Sequence, residues 1–344
     1  MKRPNAVDRP RNLQIAALCV LTILPITMIA VNGGTALRRI FAEVPPVVHD
    51  AVHAPIPTSA GPARIPFDPV RFGIYDPSRT FVADRNLSIR HHYISWVGLD
   101  AGELGARLAA LERDGFEVML TIEPWPKADI QQPLLQAITA GQYDDNLASL
   151  AQSLQALQGP VYLSWGHEMD QDLTRRYPWS AASPADFIAA YRYVVDWLRQ
   201  RVQTEIRWIW TAVLKEGSAR YWPGDAYADF VGMPVYSFPE FDHATYGYIR
   251  HFRQTYEDKR KIATQFGKPL CITELGVHGS AEFASFWLHQ AFLALDDYPE
   301  LAMVIFFYSR DSAGAWGDRF SVPDWRVHGD TIRGLVDWKK AEKR

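Results

Sequence analysis

Val161-Tyr162-Leu163-Ser164-Trp165-Gly166-His167-Glu168-Met169-Asp170 is the stretch on which the fold turns. Its first five residues form a short β-prone apolar run, and the run ends on glycine and then on charge, as a strand does when it opens into a polar loop. Pro269-Leu270-Cys271-Ile272-Thr273-Glu274-Leu275-Gly276 has the same design, a strand-like run closing on a glutamate. Outward from these two, six further runs read as strands: Phe72–Tyr75, Ser88–Trp96, Glu117–Glu123, Ile206–Thr211, Phe230–Tyr236 and Ala302–Tyr308. Longer amphipathic segments fill the gaps. The clearest begins at Ser183-Pro184, an N-cap followed by a first-turn proline, and carries Phe187, Tyr191, Val194 and Leu198 on one face. Alternation of eight strands with helices predicts an α/β protein, a (β/α)8 TIM barrel forming one domain over residues 71–344.

Three segments precede that domain. Lys2, Arg3, Arg9 and Arg11 make residues 1–12 a basic flank, and Leu13–Val31 is uncharged, apolar and long enough for one membrane span. The basic flank stays in the cytoplasm and the rest is exported to the periplasm or the extracellular space, tethered to the inner or plasma membrane. The rival reading is a cleaved signal peptide, which Pro25 and the small residues Gly33-Gly34-Thr35-Ala36 fit. Residues 32–70 contain Pro45, Pro46, Pro55, Pro57, Pro62, Pro66 and Pro69, which predicts an extended spacer. Cys19 and Cys271 both lie in apolar runs, so no disulfide framework exists, and Ala16-Ala17-Leu18 is a poor lipoprotein signal.

A formal charge of -3 provides no general attraction to nucleic acid, which is excluded as a partner. The 12 Trp, 15 Tyr and 17 Phe point elsewhere, because aromatic faces give sugar rings an apolar platform at little entropic cost. In a barrel the reacting groups project from the C-terminal ends of strands, which singles out Glu168 and Glu274. A glutamate at an arbitrary position is usually a solvated surface charge. One placed directly after a β-rich run, flanked by Trp and His or by Gly, sits at the barrel rim. Retaining hydrolysis of a glycosidic bond needs two such carboxyls about 5–5.5 Å apart, one protonated and one ionised, and proximity itself splits their pKa values. Zinc chemistry lacks the second histidine of a His-Glu-x-x-His pair, and no Gly-x-Ser-x-Gly elbow exists for a serine nucleophile. No metal or cofactor is expected, and the domain is expected to be a monomer.

The chain resembles glycoside hydrolase family 26, whose best-known members are endo-β-mannanases. The resemblance rests on Gly73-Ile74-Tyr75-Asp76, Thr121-Ile122-Glu123-Pro124-Trp125, Gly166-His167-Glu168-Met169-Asp170 with Tyr177-Pro178-Trp179, and Ile272-Thr273-Glu274-Leu275-Gly276. It implies a retaining endo-β-1,4-mannanase with Glu168 as acid/base, Glu274 as nucleophile and His167 as a partner ordering the substrate. It further implies that Tyr236 bonds the nucleophile, that Trp316 is the sugar platform, and that Trp179, Trp125 and Asp170 are substrate-side residues. Leu173-Thr174-Arg175-Arg176 and the lack of Pro-Asn after Arg207–Ala212 depart from the family pattern. A mixed-linkage β-1,3-1,4-glucan or another β-linked polysaccharide therefore stays open as substrate. So does a non-catalytic glycan-binding module of a polysaccharide synthesis or export system.

Overall fold

The computed structural model describes residues 70–171 and 176–342. The basic flank 1–12, the apolar segment 13–31 and the spacer to residue 69 lie outside the described residues. Among the described residues, no helix is long and apolar enough to cross a membrane.

Eight strands close into one parallel barrel in chain order: β1 (Arg71–Tyr75), β2 (Ile89–Ser95), β3 (Glu117–Glu123), β4 (Val161–Trp165), β5 (Ile206–Thr211), β6 (Phe230–Ser237), β7 (Leu270–Val277) and β8 (Leu301–Phe307). β1 pairs with β8 from Arg71 opposite Met303 to Tyr75 opposite Phe307, so the sheet has no free edge. The helices are α1 (Ala101–Arg113), α2 (Leu134–Thr139), α3 (Asp144–Leu154), α4 (Pro184–Arg199), α5 (Pro239–Tyr246), α6 (Phe252–Ala263), α7 (Ala281–Ala294) and α8 (Gly329–Ala341). In α4 the Ser183 hydroxyl accepts from the Asp186 amide, and Phe187, Tyr191, Val194 and Leu198 are all buried.

Helices do not fill every gap. The link after β1 consists of turns, and the link after β5 holds only the short 3-10 helix Ser218–Tyr221. The first link is fixed instead by Arg90, whose buried guanidinium donates to the carbonyls of Phe81, Val82 and Asp84. That satisfies backbone groups which a helix would have paired internally.

The lower barrel interior is apolar, with Ile89, Met119, Tyr162, Ile209, Phe230 and Met303 in one cluster. Polar contacts between strands also lie inside: His91 shares a 2.8 Å hydrogen bond with Thr121, and Ser164 donates to Thr211 at 2.9 Å. β7 continues through Val277 instead of stopping at Thr273, because Tyr236 and Ser237 of β6 go on pairing with Gly276 and Val277. Gly276 is needed there, since a Cβ would stand 2.5 Å from the Tyr236 ring.

Candidate active site

A cavity of about 680 Å³ opens at the C-terminal ends of the strands, and Glu168, Glu274, Tyr236 and Trp316 all line it. That volume suits a ligand of several sugar units' size class.

Glu168 follows β4 through a turn that needs left-handed backbone at two places, Gly166 at φ 58° and Glu168 itself at φ 52°. A side-chain-bearing residue in that region costs on the order of 1 kcal/mol, which the surroundings must offset. They do so with a 2.9 Å bond from the Glu168 amide to the Thr211 carbonyl, which fixes the turn against β5. The Gln171 side-chain amide donates to Glu168 Oε2 at 3.2 Å. Desolvation, and then the negative charge of Glu274, push the Glu168 carboxyl up to about 8. Glu168 thus holds its proton through neutral pH.

Glu274 is buried within β7. Its Oε1 accepts from the Tyr93 hydroxyl at 2.6 Å and its Oε2 from the Tyr236 hydroxyl at 2.5 Å. Burial raises its pKa, while both phenols and the Arg176 charge act in the opposite direction. Bonds donated to a carboxylate favour its ionised form. The pair therefore divides its protons unequally, with Glu168 the acid and Glu274 the one equipped to carry charge.

Tyr236, near the end of β6, lines the cavity and donates its hydroxyl to Glu274. Trp316, in the loop after β8, donates its indole N–H to Asp311 at 3.0 Å and meets the Tyr236 ring edge-on at 5.6 Å. Its placement leaves an indole surface on the cavity wall.

The other four expected residues do not line the cavity. His167 is buried against Tyr177 and Tyr93, with ring centroids 4.7 and 5.6 Å away. Burial lowers its pKa to about 3, so the imidazole is neutral, and its Nδ1 has no hydrogen-bond partner among the described residues. Trp179 is fully buried, stacks on Tyr177 at 4.7 Å, and donates its indole N–H to the His167 carbonyl at 2.7 Å. Trp125 donates to Glu123 and packs edge-on against Trp179. The structure thus gives both tryptophans a packing role behind the Glu168 turn, because an aromatic close in sequence to a strand-end loop can face either way. Asp170 is likewise buried. It accepts from the amides of Val213 and Leu214 and from the Ser218 hydroxyl, which fixes the loop after β5.

Sequence reasoning missed several cavity residues. Tyr93 carries no flag, because Ile89-Arg90-His91-His92-Tyr93 gives no reason to prefer one ring over its neighbours. Glu123, at the end of β3, adds a third carboxyl, held up by burial. Arg176 bonds Asp311 at 3.3 Å and its charge acts on both Glu168 and Glu274. Lys259 of α6 and Phe241 of α5 also face the cavity. The signal available for these was only that their helices follow a strand ending at the rim. Among the described residues, no group of three or more His, Cys, Asp or Glu side chains is arranged to hold a metal ion.

This geometry accords with what the chain is similar to. The Glycosyl hydrolase family 26 model matches residues 122–264, which include the Glu168 turn. Endoglucanase H of Acetivibrio thermocellus is 22% identical over 255 residues, covering 71% of this chain and 26% of that protein. A β-1,3-xylanase of an Alcaligenes species is 30% identical over 109 residues, covering 30% of this chain and 22% of that protein. The chain thus spans about a quarter of the length of these curated relatives. Among solved structures, a family 26 β-mannanase from Bacteroides ovatus superposes with a TM-score of 0.55 at 16% identity, covering 79% of this chain and 86% of that one. An endo-β-1,4-mannanase of Cellulomonas fimi gives 0.57 at 16% identity, covering 79% and 71%. At such identities the superpositions show the shared (β/α)8 barrel. Over residues 122–264 the chain is similar to glycoside hydrolase family 26.

Proposed function

We propose, for this relative of family 26, a retaining β-glycan endohydrolase that works by double displacement. The observation that carries the reading is Glu274, buried at the cavity with each carboxylate oxygen held by a tyrosine hydroxyl, beside a Glu168 that keeps its proton.

A carboxylate so held is fixed in orientation and kept ionised, as attack on an anomeric carbon requires. Glu274 forms the ester bond to C1 while the C1–O bond to the leaving sugar breaks, and Glu168 delivers its proton to the departing oxygen. In the second half, the now ionised Glu168 takes a proton from water. The water oxygen bonds C1, and Glu274 leaves as a carboxylate. Trp316 supplies the apolar platform under the reacting sugar. Tyr236 and Tyr93 follow the charge on Glu274 as it disappears into the ester and returns.

A β-1,4-mannan is the first substrate of choice, on the resemblance to family 26 and the two mannanase superpositions. β-Glucan stands next, since Endoglucanase H covers the most of this chain among the sequence relatives named. The apolar run Leu13–Val31 behind a basic flank supports export, with the barrel tethered outside the cytoplasm. The test is reducing-end release from mannan, glucomannan, mixed-linkage glucan and cellulose, run with the wild type and Glu274→Ala. Release by the wild type and none by the variant, which still binds, is expected. Binding without release by the wild type would make the chain a glycan-binding module instead.

A further inference from the structure

The cavity runs past the strand-end loops onto a helix. Thr255, Asp258, Lys259 and Ile262 of α6 lie on one face at three- and four-residue spacing, and all four line it. Lys259 is the unusual member of that wall. Its ammonium makes one hydrogen bond, to the Val213 carbonyl, and no carboxylate lies within ion-pair distance of it among the described residues. Two other cavity cations differ: Arg250 is paired with buried Asp242 at 3.0 Å, and Arg176 with Asp311 at 3.3 Å.

The charge of Asp170 acts on Lys259, but its oxygens accept from Val213, Leu214 and Ser218 and make no ion pair with the ammonium. Glu168 carries its proton through neutral pH, and Glu274 acts on Lys259 only from beyond ion-pair distance. Burial of this ammonium, which lowers its pKa to about 8, is therefore only partly offset from within the chain. An ammonium has three donors, and neutral hydroxyls would be served as well by an uncharged amide. A desolvated cation facing a ligand cavity favours a negative ligand group.

From this geometry we infer that Lys259 binds a carboxylate on the substrate, so that the preferred glycan carries a uronosyl unit on the Glu168 side of the cleft. Asp258, the acidic residue on the same wall, is engaged by Arg250 at 4.0 Å and by Lys261 at 3.7 Å. This inference rests on the hydrolase reading for the cleft, not for turnover, so it is tested by binding.

The probes are glucomannan and mixed-linkage glucan, each as the parent polymer and after selective oxidation of part of its C6 alcohols to carboxylates, with linkage unchanged. Affinity is measured on the Glu274→Ala protein and on the same protein carrying Lys259→Met or Lys259→Arg. The oxidised polymer is expected to bind about tenfold more tightly than its parent, with the advantage shrinking as salt rises. Lys259→Met removes that advantage while leaving parent binding in place, and Lys259→Arg keeps it. Equal binding of parent and oxidised polymers overturns the inference, as does an advantage that survives Lys259→Met. Loss of parent binding in Lys259→Met also overturns it, by making Lys259 a clamp on the Val213 loop. Absence of turnover by the wild type counts against the hydrolase reading alone.

Discussion

Tyr93 and Glu274 are 181 residues apart in the chain, yet the phenol of one donates to Oε1 of the other at 2.6 Å. Tyr236 holds the second oxygen, so two strands on either side of the barrel grip one carboxylate. Removing a donor from an ionised group costs about 1.5–3 kcal/mol, because the charge loses compensation where water cannot replace it. Tyr93→Phe is thus expected to lower kcat/KM roughly 10- to 100-fold. It is also expected to move the acidic limb of the pH profile upward, since the ionised form of Glu274 loses support. Steady-state kinetics across pH checks both. A variant that loses rate with an unmoved acidic limb would place Tyr93 outside the nucleophile's electrostatics.

The proton on Glu168 sets the other limb. With its carboxyl raised to about 8, activity requiring the acid form is expected to fall as pH rises through about 8. Glu168→Ala removes the proton donor altogether. Polysaccharide turnover is expected to drop about 10²- to 10⁴-fold, whereas aryl glycosides with good leaving groups lose far less, because their departure needs little protonation. Equal losses on the two substrate types would take the acid role away from Glu168.

The barrel was legible in the sequence because its strands are punctuated. Glu117–Glu123, Val161–Trp165 and Ile206–Thr211 have the same bounds in the structure as their apolar runs predict. The two glutamates were legible for the same reason, since each ends such a run. What periodicity cannot give is direction across the barrel. Tyr93 reaches Glu274 through closure of the sheet, a relation that no local spacing encodes. Trp125 and Trp179 lie beside the acid/base turn in sequence but face each other, not the cavity. Lys259 reads as one more cation of the amphipathic segment Phe252–Ala263, and only the packing of that helix makes it a cavity residue. The turns after β1 escape the alternation rule because Arg90 replaces a helix with side-chain hydrogen bonds.

Asp170 illustrates how a motif residue can serve the site from behind. It takes two amides and one hydroxyl from Val213, Leu214 and Ser218, and Leu214 sits at φ 61°. Asp170→Ala strands those donors in a buried place, so a loss of about 3 kcal/mol is expected by urea denaturation. Asp170→Asn retains one acceptor oxygen and is expected to recover part of it. An Ala variant as stable as the wild type would show that water takes over these bonds.

Glu168 should also cost the fold stability in a pH-dependent way. Its folded pKa of about 8 lies above the ordinary carboxyl value of 4.5, so between those limits the unfolded chain gives up a proton that the folded chain keeps. Unfolding then releases protons, and stability falls as pH rises through that window. Below it both states are protonated and no penalty exists, while above it the full penalty applies. Glu168→Gln has the same shape without the charge. Its stability relative to the wild type is expected to improve from pH 4 to pH 8.5 by on the order of 2 kcal/mol, after discounting for partial solvent access to the carboxyl. Urea unfolding of both proteins at the two pH values measures the change. A difference that stays constant between them would mean that the turn after β4, not the charge, dominates the energetics of this residue.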